Sequence, residues 1–107
     1  MDAALRALAE PNRRRILRLV QDTERSAGDI ASRFELTRPA VSQHLTVLKS
    51  AGLLEERRVG TRRLYSVRPE GFQEVRAFLD EFWDDRLERL KREAERAERS
   101  RTDDRGS

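Results

Sequence analysis

Cysteine is absent from the 107 residues, which removes disulfides, thiol redox sensing and thiolate metal sites together. Histidine occurs once, as His44, with no obvious nucleophile to partner it. Neither a Gly-rich phosphate loop nor a metal-ligand motif is present, so no enzyme activity and no cofactor are expected. Aromatic residues make up only 6% of the chain against 40% charged residues. The core should therefore be modest and aliphatic, of the kind that oligomerisation often supplements. Apolar runs are short as well: none nears the roughly 20 residues of a membrane span, and no signal-peptide h-region opens the chain. The expectation is a soluble, cytoplasmic protein of one domain with no membrane partner.

What the chain does have is charge, unevenly placed. Residues 1–68 carry 14 Lys and Arg against 8 Asp and Glu, a net +6, whereas residues 69–107 carry 9 against 12, a net −3. A basic front and an acidic back suit a front that meets a polyanion. Arginine supplies 21 of the 23 basic residues, a bias that genome composition also produces, so the arrangement within the front matters more than its sum.

Residues 2–9 read as a short helix with Ala4, Leu5 and Leu8 on one side. Pro11 fits the first turn of a second helix, where its missing N–H costs nothing, and Ile16, Leu17 and Val20 form the apolar stripe. "DTERS" is a polar connection. Ser26 is an N-cap, with Asp29 in the place of a variant capping box, opening a third helix with Ile30, Ala31 and Phe34. "ELT" then leads into "LTRPAVSQHLTVLKSAGLL", in which Thr37 caps, Pro39 occupies the first turn and Gly52 supplies a left-handed stop. At 100° per residue Val41, Leu45 and Leu48 point one way, while Arg38, Ser42, Thr46 and Lys49 point the other, with Gln43 flanking them. "LLEERRV" and "RRLYSV" are β-capable runs separated by Gly60-Thr61, a hairpin with Arg57, Arg58, Arg62 and Arg63 crowding its tip. A long helical pattern follows, from Glu70 to Arg99, and the tail 100–107 reads as disordered. The fold class is mainly α with a β-hairpin wing, a winged helix-turn-helix over residues 1–99.

That order has a chemical logic. A helix fits the major groove, where each base pair shows its own pattern of donors and acceptors. Arg38 can reach guanine O6 and N7, Gln43 adenine N6 and N7, and Ser42 a base edge. Thr37, Thr46 and Lys49 suit phosphates. Arg57, Arg58, Arg62 and Arg63 would act from the wing through sequence-independent charge contacts. A merely solvated helix face would more often carry Glu and Lys. Arg13, Arg14, Arg15 and Arg18 are ambiguous between phosphate contacts and plain surface.

The run "SAGDIASRFELTRPAVSQHLTVLKSAGLLEERRVGTRRLYSV", preceded by "LAEPNRRRILRLV", resembles the ArsR/SmtB family of bacterial transcriptional regulators, over about residues 5–68. The resemblance implies a homodimer, formed by the first and last helices, that binds double-stranded DNA at a palindromic operator and usually represses. Regulation in such a dimer would shift the two recognition helices through the dimer helices. Many members of that family sense metals through a cysteine pair ahead of a "DI"-like dipeptide, positions held here by Ser26 and Gly28. Others use His and acidic ligands on the last helix, which here has no His. Asp80, Glu81, Asp84, Asp85 and Glu88 read as a solvated face before they read as a hard-ion site. No metal is expected, and any effector would be an unidentified small molecule.

The last helix carries Phe72, Val75, Phe78, Leu79, Phe82, Trp83, Leu87 and Leu90. These could cover the helix-turn-helix, line a ligand pocket, or bury against a second copy. Length favours the last reading, because one small domain cannot cover both ends of a helix about 45 Å long. The dimer interface would then comprise Leu5, Leu8, Phe78, Phe82, Trp83, Leu87 and Leu90. His44 falls on the inner half of its helix and suits packing, with a ring nitrogen on backbone or phosphate. Two rivals remain for the whole chain: a winged-helix protein-interaction module, and a nucleoid-type binder without sequence preference.

Overall fold

In the computed structural model, which describes the backbone of residues 1–105 and the side chains of residues 1–100, α1 (Asp2–Leu8) and α2 (Pro11–Val20) meet at a sharp corner. The corner is set by Glu10, whose extended backbone and side chain cap α2, Oε2 accepting from the Arg13 amide at 2.9 Å. Pro11 follows in the position where no N–H is needed. α1 buries Ala4 and Ala7, while Leu5 is exposed and Leu8 half-buried. The expected grouping of Ala4 with Leu5 and Leu8 is thus rotated by part of a turn, because the two small alanines allow the closer approach.

"DTERS" is more than a connection. Arg25–Ser26 forms β1, which pairs with β3 (Arg62–Val67) in antiparallel register, Arg25 opposite Tyr65 and Ser26 opposite Leu64. β2 (Leu54–Val59) pairs with the other edge of β3, giving a three-stranded sheet of order β1-β3-β2. Two residues are too few to show an alternating pattern, so β1 left no periodic trace; it forms because β3 offers it an open hydrogen-bonding edge. Val59 faces Arg62 across the two-residue turn Gly60-Thr61, and Gly60 has φ +61° with no positive φ at Thr61. A positive φ at the first central position alone is the type II′ arrangement, whose twist matches that of the strands.

α3 (Ala27–Ser32) is capped by Ser26, whose Oγ accepts from the Asp29 amide at 3.1 Å. The Asp29 carboxylate does not complete a capping box; it turns outward to Arg25 and Arg33. Those two arginines hold it below the usual carboxylate range, the Arg25 hydrogen bond first, against a smaller opposing effect of partial desolvation. The helix ends before Phe34, which packs half-buried against the core. α4 (Arg38–Ser50) is capped by Thr37 and stopped by Gly52, which has φ +77°. Leu53 then donates its amide to the Leu48 carbonyl, closing the turn. The core is a single cluster in which Ile16, Leu17 and Val20 meet Ile30, Val41, Leu45, Leu48, Leu53, Leu54, Tyr65 and Val75.

Pro69–Phe72 makes a 3-10 turn before α5 (Gln73–Arg105), so the last α-helix starts three residues later than the pattern from Glu70 suggested. The cause is visible at Gly71. A Cβ there would overlap the Gly52 carbonyl oxygen, so the turn lies directly on the backbone that ends α4. Gly71→Ala should destabilise the protein by about 1–3 kcal/mol, the usual cost of overpacking, read as a lower thermal midpoint by circular dichroism. An unchanged midpoint would show that the contact gives way freely.

α5 continues as helical backbone to Arg105, six residues beyond Arg99 and into the tail read as disordered; Gly106 and Ser107 lie outside the described residues. Opposite charges at i,i+4 spacing, as in Asp85 and Arg89, Glu88 and Arg92, and Glu95 and Arg99, favour helix without any packing. The chain divides into two compact units, Met1–Val75 and the segment from Arg76 onward. Within the second unit Phe78 and Phe82 meet edge-to-face at 5.0 Å. Among the described residues no helix is long and apolar enough to cross a membrane.

Candidate nucleic-acid interface

The exposed side of α4 is built by subtraction. Val41, Leu45 and Leu48 take the helix into the core, which leaves Arg38, Ser42, Gln43, Thr46 and Lys49 outward. The wing lies beside this face: Arg62 and Arg63 border one shallow hollow with Arg38, Ser42 and Gly28, while Arg63 and Glu56 border another with Thr46 and Lys49. Arg62 and Arg63 of the hairpin thus share a surface with Arg38 and Lys49 of α4, and α3 contributes Gly28, over which the Arg38 guanidinium lies.

Local bonds divide the ten candidate residues. Thr37 Oγ1 accepts from the Ala40 amide at 3.2 Å, which leaves its hydroxyl proton uncommitted. Thr46 Oγ1 donates to the Ser42 carbonyl at 2.9 Å. With its proton so committed, Thr46 presents lone pairs, which suit a base amino group better than a phosphate. The side chains of Arg38, Gln43 and Arg62 make no hydrogen bond or salt bridge to protein among the described residues. They are available to a ligand.

Lys49, Arg57 and Arg63 are engaged. Arg57 forms a two-point pair with Glu24, Nε and Nη2 at 3.0 and 2.7 Å from its two carboxylate oxygens. That hydrogen bond lowers the Glu24 pKa and raises that of Arg57, and the adjoining carboxylate offsets part of the charge that Arg57 presents. Lys49 Nζ lies 2.6 Å from Glu56 Oε2, and Arg63 Nε lies 3.3 Å from Glu56 Oε1. Glu56 is held below its ordinary pKa, chiefly by the Lys49 hydrogen bond, with the charges of Lys49, Arg63 and Arg58 adding to it against partial desolvation.

Glu24 and Glu56 are the two functional neighbours that sequence reasoning missed. Glu56 had left a signal: it lies two residues after buried Leu54 and so on the inward face of β2, opposite Tyr65. A carboxylate there needs a cation from an adjoining element.

Three of the four ambiguous arginines have structural work. Arg13 donates from Nε to the Ala7 carbonyl at 2.7 Å and from Nη2 to that of Arg6, and Arg14 donates to that of Leu8. Together they satisfy the carbonyls at the end of α1. Arg15 stands over the Phe34 ring at 4.6 Å. His44 is 18% exposed, with Nδ1 3.9 Å from Glu10 Oε2, a packed position in which one ring nitrogen faces a carboxylate. Among the described residues no three His, Cys, Asp or Glu side chains are grouped to hold a metal ion.

Comparison with known proteins agrees with this architecture. A family profile described as a helix-turn-helix domain matches residues 8–57. The chain is 44% identical over 82 residues to the HTH-type transcriptional regulator Rv2034 of Mycobacterium tuberculosis, covering 77% of each chain. It is 37% identical over 67 residues to the transcriptional repressor SdpR of Bacillus subtilis, covering 63% of this chain and 74% of the relative. Among solved structures, a crystal structure of a possible transcriptional regulator for arsenical resistance superposes with a TM-score of 0.69 at 41% identity, over 84% of this chain and 93% of that one. A solution structure of a homodimeric winged helix-turn-helix DNA-binding domain from Mycobacterium bovis, described as that of a possible ArsR-family regulator, gives a TM-score of 0.63 at 34% identity, over 78% and 77%. A helix-turn-helix ending in α4, a basic hairpin beside it and relatives at this level of identity lead to one assignment: the chain belongs to the ArsR/SmtB family of winged helix-turn-helix, DNA-binding transcriptional regulators.

Proposed function

We propose that the chain acts in the cytoplasm as a homodimeric repressor, reading a palindromic operator with one α4 from each copy in successive major grooves, about 34 Å apart. The observation that carries this reading is that unengaged Arg38 on α4 and unengaged Arg62 on the wing border one hollow with Ser42, and Ser42 also borders the adjoining hollow lined by unengaged Gln43. Arg38, Ser42 and Gln43 read bases, and Thr46 joins them as an acceptor. Thr37 and Arg62 hold phosphates, with Arg58 beside them, whereas Arg57 braces the wing against Glu24. Repression is the role named for the SdpR relative, and any effector is a small molecule rather than a transition metal.

The second copy is argued from α5. Leu79, Phe82, Trp83, Leu87 and Leu90 are exposed, Phe82 and Trp83 by about three-fifths, an area of apolar surface that calls for a partner. Trp83, Leu87, Leu90, Ala94 and Ala97 alternate at four- and three-residue steps, a seam that fits a second helix. Charge chooses the direction. In parallel pairing Arg86 would meet Lys91 of the second copy, and Glu93 would meet Glu98. Antiparallel pairing centred between Leu87 and Leu90 instead sets Arg86 against Glu93 and Asp84 against Lys91, and puts the large Trp83 on the small Ala94. That the Mycobacterium bovis neighbour is homodimeric supports a dimer.

The test is a fluorescence-anisotropy titration on the protein's own upstream DNA and a scrambled duplex at two salt concentrations. Tight, salt-dependent binding that favours the native fragment is expected. Equal binding to both calls for selection from a genomic library, and failure of that selection points to a non-specific binder. No binding to any duplex at low salt would favour a protein-interaction module.

A further inference from the structure

Glu56 stands out as an anion placed inside a surface otherwise dressed for a polyanion. Its side chain is 17% exposed and lies on the inward face of β2, directly across from Tyr65 and diagonal to Arg63. One carboxylate oxygen takes Lys49 Nζ from α4 at 2.6 Å, and the other takes Arg63 Nε from β3 at 3.3 Å. The bridge therefore joins the two arms of the interface, recognition helix and wing, through a single group.

The donors left over are the informative part. Lys49 has three N–H groups and gives one to Glu56; Arg63 has five and gives its Nε–H, leaving both terminal amino groups. Both cations remain about half exposed, at 53% and 56% of the side chain. Both are long, flexible side chains that would otherwise lose rotamer freedom on meeting a phosphate. Held from behind, they are already ordered when DNA arrives.

We infer that Glu56 is a positioning residue of the DNA interface: its carboxylate fastens the wing to the recognition helix and aims the free N–H groups of Lys49 and Arg63 at the operator backbone. This rests on the DNA-reading function proposed above. It makes a claim opposite in sign to simple charge counting, by which any carboxylate beside DNA weakens binding and its removal strengthens binding to every sequence alike. A positioning carboxylate does something else. Its loss strengthens or spares binding to random DNA, where geometry matters little, and weakens binding to the operator, where wing and α4 must keep register.

The experiment compares wild type and Glu56→Gln by anisotropy on two duplexes, one selected from a random library by the wild-type protein and one scrambled, with circular dichroism melts to verify folding. The ratio of operator to random affinity should fall by about fivefold or more, through loss of pre-ordered contacts. In a Lys49→Ala/Arg63→Ala background Glu56→Gln should leave the ratio unchanged, because nothing remains to be aimed. A general loosening of the fold would lower the ratio in both backgrounds and would overturn the inference. So would an unchanged ratio in the single variant with both affinities raised together. If Glu56→Gln does not fold, Glu56→Asp keeps the charge but shortens the reach; the ratio should again fall, and an unchanged ratio refutes the role. A wild-type protein that selects no duplex removes the DNA-reading function itself, and the inference with it.

Discussion

Leu90→Glu should convert the protein from a species of twice the 12.5 kDa chain mass to a monomer in sedimentation equilibrium, and operator affinity should fall by about 10²-fold or more as the second half-site is lost. The size of the effect follows from where Leu90 lies. In antiparallel pairing centred between Leu87 and Leu90, each Leu90 packs on Leu87 of the second copy, so four leucines occupy the middle of the seam. Burying each contributes about 1.5–3 kcal/mol, and a carboxylate in their place would have to be desolvated without a partner. Leu90 is exposed within a single chain, so the monomer should keep its melting behaviour apart from the concentration dependence that dimerisation adds. A variant that stays dimeric would move the interface elsewhere on the chain.

The direction of pairing can be tested separately, since the two arrangements give opposite signs. Arg86→Glu turns an attraction with Glu93 into a repulsion if the helices run antiparallel, at about 0.2–1 kcal/mol per exposed pair. If they run parallel, the same change relieves a clash with Lys91 and strengthens the dimer. Adding Glu93→Arg should restore the antiparallel dimer. Weakening by the single change and recovery in the double is the expected pattern, read from dimer dissociation constants.

Most of the helical scaffold could be read from the chain because its signals are local. Thr37, Pro39 and Gly52 bracket α4 by backbone chemistry that acts within a turn, and the apolar spacing in α2 and α4 fixes which side is buried. Gly60 announces the hairpin in the same way. What escaped notice depends on pairs far apart in sequence. β1 exists because β3 happens to present an edge to it, and Arg57 is paired with Glu24, 33 residues away. The grouping of Arg57 with Arg58, Arg62 and Arg63 was correct about the hairpin tip but silent about which charges were already spent. Gly71 belongs to the same class, as its need for a missing side chain comes from the Gly52 carbonyl. The positions of the cations on α4 and the hairpin were legible, then, while the state of each charge was a property of the folded contacts.

That distinction yields the second large effect. Gln43→Ala should lower the ratio of operator to random affinity by about 1–3 kcal/mol, the discrimination carried by one bidentate base contact. Gln43 suits that role because its amide offers donor and acceptor side by side, as adenine N6 and N7 require. No bond to protein among the described residues has to be broken first. Arg62→Ala should act differently, weakening all sequences alike and reducing the salt slope by about one unit, since Arg62 is an unengaged cation on the wing. Arg57→Ala removes a charge from the same hairpin but one already paired with Glu24, and its salt slope should stay close to that of wild type. The three variants give three distinguishable patterns in one titration series. An unchanged ratio for Gln43→Ala would remove base reading from this residue. A reduced salt slope for Arg57→Ala would mean that DNA pulls the guanidinium away from Glu24, which would return Arg57 to the phosphate-binding set.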